Sequence, residues 1–222
     1  RHVIEYYSVD KAGNRERTKS LELLVDKTPP ETVCSLNPST PNGKDGWYNA
    51  PVEVTFVAED NQSGVNYTKY RIDNGEWKRY SNTFFINEGE HVIYFYSVDT
   101  AGNVEKVNSI TIKIDDTPPN IYIYKPAPGI YLFERKIMSL PSSIIIIGSI
   151  TIEAGIMDDA SGIKEVGFYI DNVLKKTIFN PPYEFQINES IFGRHVVKIV
   201  VYDNAGNKAV KEQTIWIFNI VF

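Results

Sequence analysis

One short segment recurs three times, as His2-Val-Ile-Glu-Tyr-Tyr-Ser-Val-Asp10, His91-Val-Ile-Tyr-Phe-Tyr-Ser-Val-Asp99 and His195-Val-Val-Lys-Ile-Val-Val-Tyr-Asp203. Recurrence of this kind restricts the chain to folds assembled from a repeated unit. Each copy is followed, one residue on, by Ala12-Gly13-Asn14, Ala101-Gly102-Asn103 or Ala205-Gly206-Asn207, and then by a second strand-like run. The pattern predicts a hairpin whose turn glycine supplies a positive φ. The histidines stand 89 and then 104 residues apart, the length of a small β domain.

The first two hairpins run into Asp26-Lys-Thr-Pro-Pro30 and Asp115-Asp-Thr-Pro-Pro119. Paired prolines cannot continue a hydrogen-bonded ladder, so these segments mark unit boundaries. A second shared block, Asp60-Asn-Gln-Ser-Gly-Val65 and Asp158-Asp-Ala-Ser-Gly-Ile163, is followed at equal distance by Asp73-Asn-Gly75 and Asp171-Asn172. The expected organisation is a closing hairpin of an incomplete unit plus linker at 1–29, a full unit at 30–116, and a second full unit at 117–222 with an insertion at about 126–149. The leading half-unit points to a piece of a longer array, or to a hairpin that has lost its parent unit.

Alternation fixes the fold class. Val52, Val54, Phe56 and Ala58 share one face of a strand, and Ile150, Ile152, Ala154 and Ile156 repeat them. Short alternating strands punctuated by Gly, Asn and Pro, with no helical periodicity, predict an all-β sandwich. The 126–149 segment is expected to add an edge hairpin or to split the first strand. Its four consecutive isoleucines, Ile144–Ile147, raise the alternative of an open edge that templates pairing with another chain.

Charge and motif content exclude several functions. A net charge of −5 without a Lys/Arg cluster argues against nucleic acid. The single cysteine, Cys34, rules out an internal disulfide framework and a multi-cysteine zinc site, and reads as a buried thiol, with an intermolecular link as the alternative. The Ile-rich stretch up to Ile152 is too short and too broken by Ser and Gly to cross a bilayer, so no membrane insertion is expected. No signal peptide is read at the N-terminus, which says nothing for the cytoplasm in a chain that begins inside a repeat. The histidines occupy one repeated position, which favours a structural role at a strand start. No nucleophile elbow, phosphate-cradling loop or His-x-x-x-His pair occurs, and the chain is not expected to be an enzyme.

The Asp-x-x-Ser-Gly-Val and Asp-x-Ala-Gly-Asn loops and the Asp-x-Thr-Pro-Pro linkers resemble those of bacterial and archaeal immunoglobulin-like surface repeats. The middle unit, with Gly46-Trp47-Tyr48 and Tyr70-Arg-Ile-Asp-Asn-Gly75-Glu-Trp77, is similar to repeats first grouped with a spirochaete outer-membrane protein family. The last unit, with Gly167-Phe-Tyr-Ile-Asp171 and Pro181-Pro-Tyr183, resembles modules of large extracellular prokaryotic proteins. The resemblance implies tandem immunoglobulin-like β-sandwiches, a secreted or cell-surface location, and a stalk, spacer or adhesion role.

In such a topology the strands ending at Asp60 and Asp99, or at Asp158 and Asp203, come from opposite sheets and finish at the pole where the chain enters the unit. Their carboxylates then converge beside the incoming linker. Two solutions stand open. Each Asp can accept N–H groups of its own loop, or the group can hold a cation, Ca²⁺ being the best match for hard oxygen ligands. The expected ligands are Asp116, Asp158, Asp159 and Asp203, with Asp26, Asp60 and Asp99 as the weaker set.

The functional expectation is a non-catalytic structural or surface-assembly segment. Its partners would be neighbouring repeats, further copies of itself or a cell-surface ligand. The alternatives are an adhesive or carbohydrate-binding module using Trp47, Tyr48, Trp77 and Tyr80, and accessory modules of a large secreted enzyme. Asn61, Asn66 and Asn188 begin Asn-x-Ser/Thr acceptor sites. The apolar run Thr214–Phe222 outlasts the hairpin it closes, and is expected to pair with a further element.

Overall fold

The computed structural model describes residues 1–221, and among them there is no helix. By Cα proximity, Arg1–Leu36, Val54–Phe84 and His91–Thr111 gather into one compact unit. Asn37–Glu53, Phe85–Glu90 and the residues from Ile112 onward gather into a second.

Strands β1 (His2–Tyr6) and β2 (Lys19–Leu23) form an antiparallel two-stranded ribbon with His2 opposite Leu23 and Tyr6 opposite Lys19. Its turn is built locally. Asp10 Oδ1 accepts the N–H groups of Ala12 (2.9 Å) and Asn14 (2.8 Å), Oδ2 accepts the Asn14 amide (2.8 Å), and Gly13 takes φ 88°. Both faces of the ribbon are open. Ile4 is 47% exposed, whereas Ile93, which the repeat places at the same position, is fully buried.

The next seven strands are β3 (Glu31–Asn37), β4 (Val52–Glu59), β5 (Val65–Ile72), β6 (Lys78–Arg79), β7 (Phe84–Ile86), β8 (Gly89–Asp99) and β9 (Asn108–Ile114). They form a three-stranded sheet ordered β3-β4-β7 and a four-stranded sheet ordered β6-β5-β8-β9, the division of an immunoglobulin-like sandwich. Period-two burial holds on β4, where Val52, Val54 and Phe56 are buried and Val57 is exposed. The Phe56 ring meets Phe95 of β8 at 4.7 Å and Tyr70 of β5 at 5.9 Å. Polar groups inside this core are paired: Ser97 Oγ lies 2.6 Å from Thr32 Oγ1 and 2.7 Å from Thr68 Oγ1. Glu105 accepts the Thr32 hydroxyl and the N–H groups of Thr32 and Ser97, so no buried donor of this group is stranded.

The last ten strands are β10 (Asn120–Lys125), β11 (Gly129–Leu132), β12 (Arg135–Ser139), β13 (Ile144–Ile147), β14 (Ile150–Met157), β15 (Ile163–Ile170), β16 (Val173–Ile178), β17 (Tyr183–Ile187), β18 (Ile191–Asp203) and β19 (Lys208–Asn219). A three-stranded sheet, β10-β14-β17, accompanies a seven-stranded one, β12-β11-β13-β19-β18-β15-β16. The core between them is mainly Ile and Val, with Ile150, Ile152 and Ile187 packed in one cluster with Phe168, Ile199 and Ile215. Each such side chain contributes about 1.5–3 kcal/mol on leaving water.

The inserted segment supplies β11, β12 and β13. It is both a hairpin and a split strand, because β13 runs parallel to β19 on one side and to β11 on the other. Ile144 and Ile146 are buried in the cluster, so the four isoleucines are interior to the sheet and do not form an open edge. The edge is β12, short, carrying Arg135 and Lys136, and offset by a register shift at Ile130/Tyr131, features that discourage edge pairing. The apolar C-terminal run is explained in the same way: Ile145 and Trp216, then Ile147 and Phe218, are register partners. Phe222 of that run lies outside the described residues.

The repeated histidines close a tight turn. His91 Nδ1 lies 2.9 Å from Asp73 Oδ2, while Asp73 Oδ1 accepts the Val92 N–H (2.8 Å). His195 and Val196 repeat both contacts on Asp171, at 2.5 and 2.9 Å. Asp73 and Asp171 sit at φ 53° and 49°, conformations that aspartate tolerates better than most residues.

Candidate metal centre

Each linker begins with the same local structure. Asp26 Oδ1 accepts the Thr28 N–H (2.9 Å), and Asp115 Oδ1 accepts the Thr117 N–H (3.2 Å), so a carboxylate turn precedes each proline pair. The other oxygen of each reaches the Ser-Gly loop: Ser63 N–H donates to Asp26 Oδ2 and Ser161 N–H to Asp115 Oδ2, both at 3.1 Å. Within those loops Gly64 N–H donates to Asp60 (2.7 Å) and Gly162 N–H to Asp158 (2.5 Å). Positive φ at Gly64 (81°) and Gly162 (79°) lets the chain fold back onto its own aspartate.

The Ser-Gly loop is also tied to the Ala-Gly-Asn loop. Thr100 N–H donates to the Gly64 carbonyl (2.8 Å) and Asn204 N–H to the Gly162 carbonyl (3.0 Å). Ser63 Oγ and Ser161 Oγ accept the N–H groups of Ala101 and Ala205 (3.3 and 3.1 Å). Linker, first loop and second loop are therefore joined by matching atoms in both units.

Two trios of carboxylates result, Asp26, Asp60 and Asp99 in one unit and Asp115, Asp158 and Asp203 in the other. In each trio one oxygen per residue lies within 4.8 Å of the others. Two like unit charges at that distance repel by about 3–4 kcal/mol at an effective dielectric of about 20. Among the described residues no lysine, arginine or histidine forms an ion pair with any of the six.

The trios differ in how their charge is met. Asp99 accepts the Asn103 N–H on Oδ1 and the Asn103 amide on Oδ2, both at 2.7 Å, the arrangement also present at Asp10 and Asn14. Asp203 Oδ1 accepts Gly206 and Asn207 N–H (2.7 and 2.8 Å), but the Asn207 amide turns to Asp115, donating to its carbonyl (2.9 Å) and to Oδ1 (3.3 Å). Asp203 Oδ2 is left buried with no hydrogen-bond partner, on a residue that is 0% exposed. The acid equilibria diverge too. The Ser63 hydroxyl, then the Thr28 N–H, hold the Asp26 carboxyl below the usual carboxylate range. Burial pushes Asp158 above it, the Gly162 N–H draws it back, and the facing carboxylates of Asp115 and Asp203 raise it again.

The structure brings together Asp158 and Asp203, and in the other unit Asp26, Asp60 and Asp99. It does not bring Asp116 or Asp159 into either trio. Both are exposed, and the linker carboxylate at the site is the fully buried Asp115. The reason is register: Asp115 follows buried Ile114 and is held by its N–H donating to the Tyr48 carbonyl (2.8 Å), so the next residue falls on the solvent side. Aligning the linkers pairs Asp115 with Asp26 and Asp116 with Lys27, and aligning the loops pairs Asp159 with Asn61. That signal was present in the sequence.

The remaining candidates separate cleanly. Trp47 and Tyr48 are buried, Tyr80 packs edge-on against Phe56 (5.1 Å), and Trp77 meets Tyr96 at 76° to its plane. These four form no coplanar exposed platform. Cys34 is half-buried and free, its thiol pushed up to about 11 by burial. Asn61, Asn66 and Asn188 are all exposed.

The family model described as bacterial Ig domain matches residues 137–214. That span runs from the inserted hairpin to the middle of β19. No curated protein sequence matches the chain. Among solved structures, the fibronectin(III)-like modules of Clostridium thermocellum CbhA align over 84% of this chain and 94% of theirs, at 15% identity and TM-score 0.37. The D00-D0 domain of intimin aligns over 82% and 99%, at 12% identity and TM-score 0.38. A bacterial ice-binding adhesin of 1.5 MDa aligns over 87% and 67%, at 12% identity and TM-score 0.33.

Proposed function

We propose that the chain is a non-catalytic structural segment, a stalk or spacer, of an extracellular or cell-surface prokaryotic protein. The observation that carries this reading is the latch of linker Asp, Ser-Gly loop and Ala-Gly-Asn loop, repeated atom for atom in two units. A repeated latch fixes how the chain enters each sandwich, which is what a spacer needs and what a solitary binding domain does not. The bacterial Ig domain match over residues 137–214 supports the same reading.

The test has two arms. Antibody raised against the chain labels intact producing cells if the segment is at the surface, and labelling only after permeabilisation overturns the location. Replacing the segment in its parent protein by unrelated immunoglobulin-like units of equal length leaves the parent's activity intact if it is a spacer, and abolishes it if the segment binds something itself.

One surface favours the second reading, an adhesive module. Leu132, Ile147, Phe218 and Phe192 are register partners across four neighbouring strands, all exposed, with exposed Trp216 beside them. If the replacement abolishes attachment and Trp216→Ala together with Phe218→Ala reproduces the loss, this face is the binding surface.

A further inference from the structure

We propose that Asp115, Asp158 and Asp203 form a built site for one hard divalent cation, with Ca²⁺ as the fitting ion. The clustering of acids does not carry this alone, since the described residues contain two such clusters. What singles out one is Asp203 Oδ2, a fully buried carboxylate oxygen without a hydrogen-bond partner in a trio whose oxygens lie within 4.8 Å of one another. Buried polar atoms are almost always satisfied, and an unsatisfied one calls for an explanation such as an ion. A cation meets both needs at once, because it ligates the free oxygen and neutralises like charges that no basic side chain among the described residues pairs with.

At Asp10 and Asp99 the asparagine four residues on donates its amide to the second carboxylate oxygen. At Asp203 the same asparagine, Asn207, gives its amide to Asp115 instead. Asp203 is thereby freed as a ligand, and Asp115 is held against the loop. The trio in the other unit has no fully buried oxygen left without a partner among the described residues, and serves as the control. The inference stands independently of the spacer role.

The test is calorimetric titration of CaCl₂ into the chelator-stripped 222-residue chain, repeated on Asp203→Asn, Asp158→Asn and Asp99→Asn. The site predicts saturable binding of one Ca²⁺ per chain. Affinity falls about tenfold or more in Asp203→Asn and Asp158→Asn, because each removes a ligand charge, and is unchanged in Asp99→Asn. Asp158 is only partly buried, so its variant reports even where Asp203→Asn does not fold. Absence of saturable binding up to millimolar Ca²⁺ overturns the proposal. So does binding that survives both unit-specific substitutions, or that is lost equally with Asp99→Asn.

Discussion

Glu134 shows how one side chain can fasten an insertion to its host. It sits at φ 70° in the turn between β11 and β12, and its carboxylate receives Lys125 Nζ (2.7 Å), the Thr151 N–H (3.0 Å) and hydroxyl (2.9 Å), and the Gln186 amide (3.3 Å). Burial works to raise this carboxyl, yet the Lys125 ion pair and the Thr151 and Gln186 hydrogen bonds bring it down to about 2 from an ordinary 4.5. A lowered folded pKa means the contribution is complete above pH 4.5 and is lost as pH falls toward 2. Glu134→Gln should therefore cost about 1–2 kcal/mol at pH 7, a value discounted for partial exposure. The gap between variant and wild type should close by about pH 2. Urea unfolding at a series of pH values measures that gap; a constant gap would show that the charge is not what matters. Nothing in the repeat pattern pointed to Glu134, because it lies in the one segment without a counterpart elsewhere in the chain. The direction of the Asn207 amide was equally hidden. Asn14, Asn103 and Asn207 occupy identical Ala-Gly-Asn contexts, and only the structure shows that the amides of Asn14 and Asn103 go to their own loop's aspartate while that of Asn207 goes to Asp115.

At the scale of elements, the hairpin of β1 and β2 is the clearest case of a sequence separated from its context. It aligns with the hairpin of β8 and β9 position for position without a gap, and the Ser8 N–H to Glu16 carboxylate bond (2.9 Å) mirrors that of Ser97 and Glu105. Where Ile93, Ile112 and Ile114 are buried, however, Ile4, Leu23 and Val25 are exposed. A two-stranded ribbon with no covered face has little free energy of its own. Hydrogen exchange should therefore saturate in His2–Leu23 within seconds to minutes, while the β18–β19 pair stays protected for hours; comparable protection of the two would mean that something covers the ribbon in solution. Strand identity, hairpin turns and the buried face of β4 and β14 were legible because period-two alternation reports burial directly. The fate of Ile144–Ile147 was not, since four isoleucines in a row look alike from both sides. Only the pairing with β11 and β19 shows that Ile144 and Ile146 face the cluster.

For the whole molecule, the two acidic trios make a prediction about where an ion acts. A ligand that binds only the folded state stabilises by about 2.7 kcal/mol at a concentration one hundred times its Kd. For a domain of about 100 residues that corresponds to a rise in Tm of roughly 10 °C or more. If one ion binds at Asp115, Asp158 and Asp203, this stabilisation falls on the unit that holds them and bypasses the other. Exchange measured in excess CaCl₂ and again in chelator should then show slowing at residues 115–117, 158–162 and 203–207. Residues 26–28, 60–64 and 99–103 should be unaffected, even though their latch has the same atoms. Equal slowing at both trios would indicate that the Asn103 amide gives way to the ion, and that the difference in side-chain direction does not set occupancy. The contrast is informative because composition, loop sequence and backbone geometry are nearly matched between the trios. What differs is the partner of one asparagine amide, which leaves one buried oxygen available, and the deeper burial of the linker aspartate Asp115.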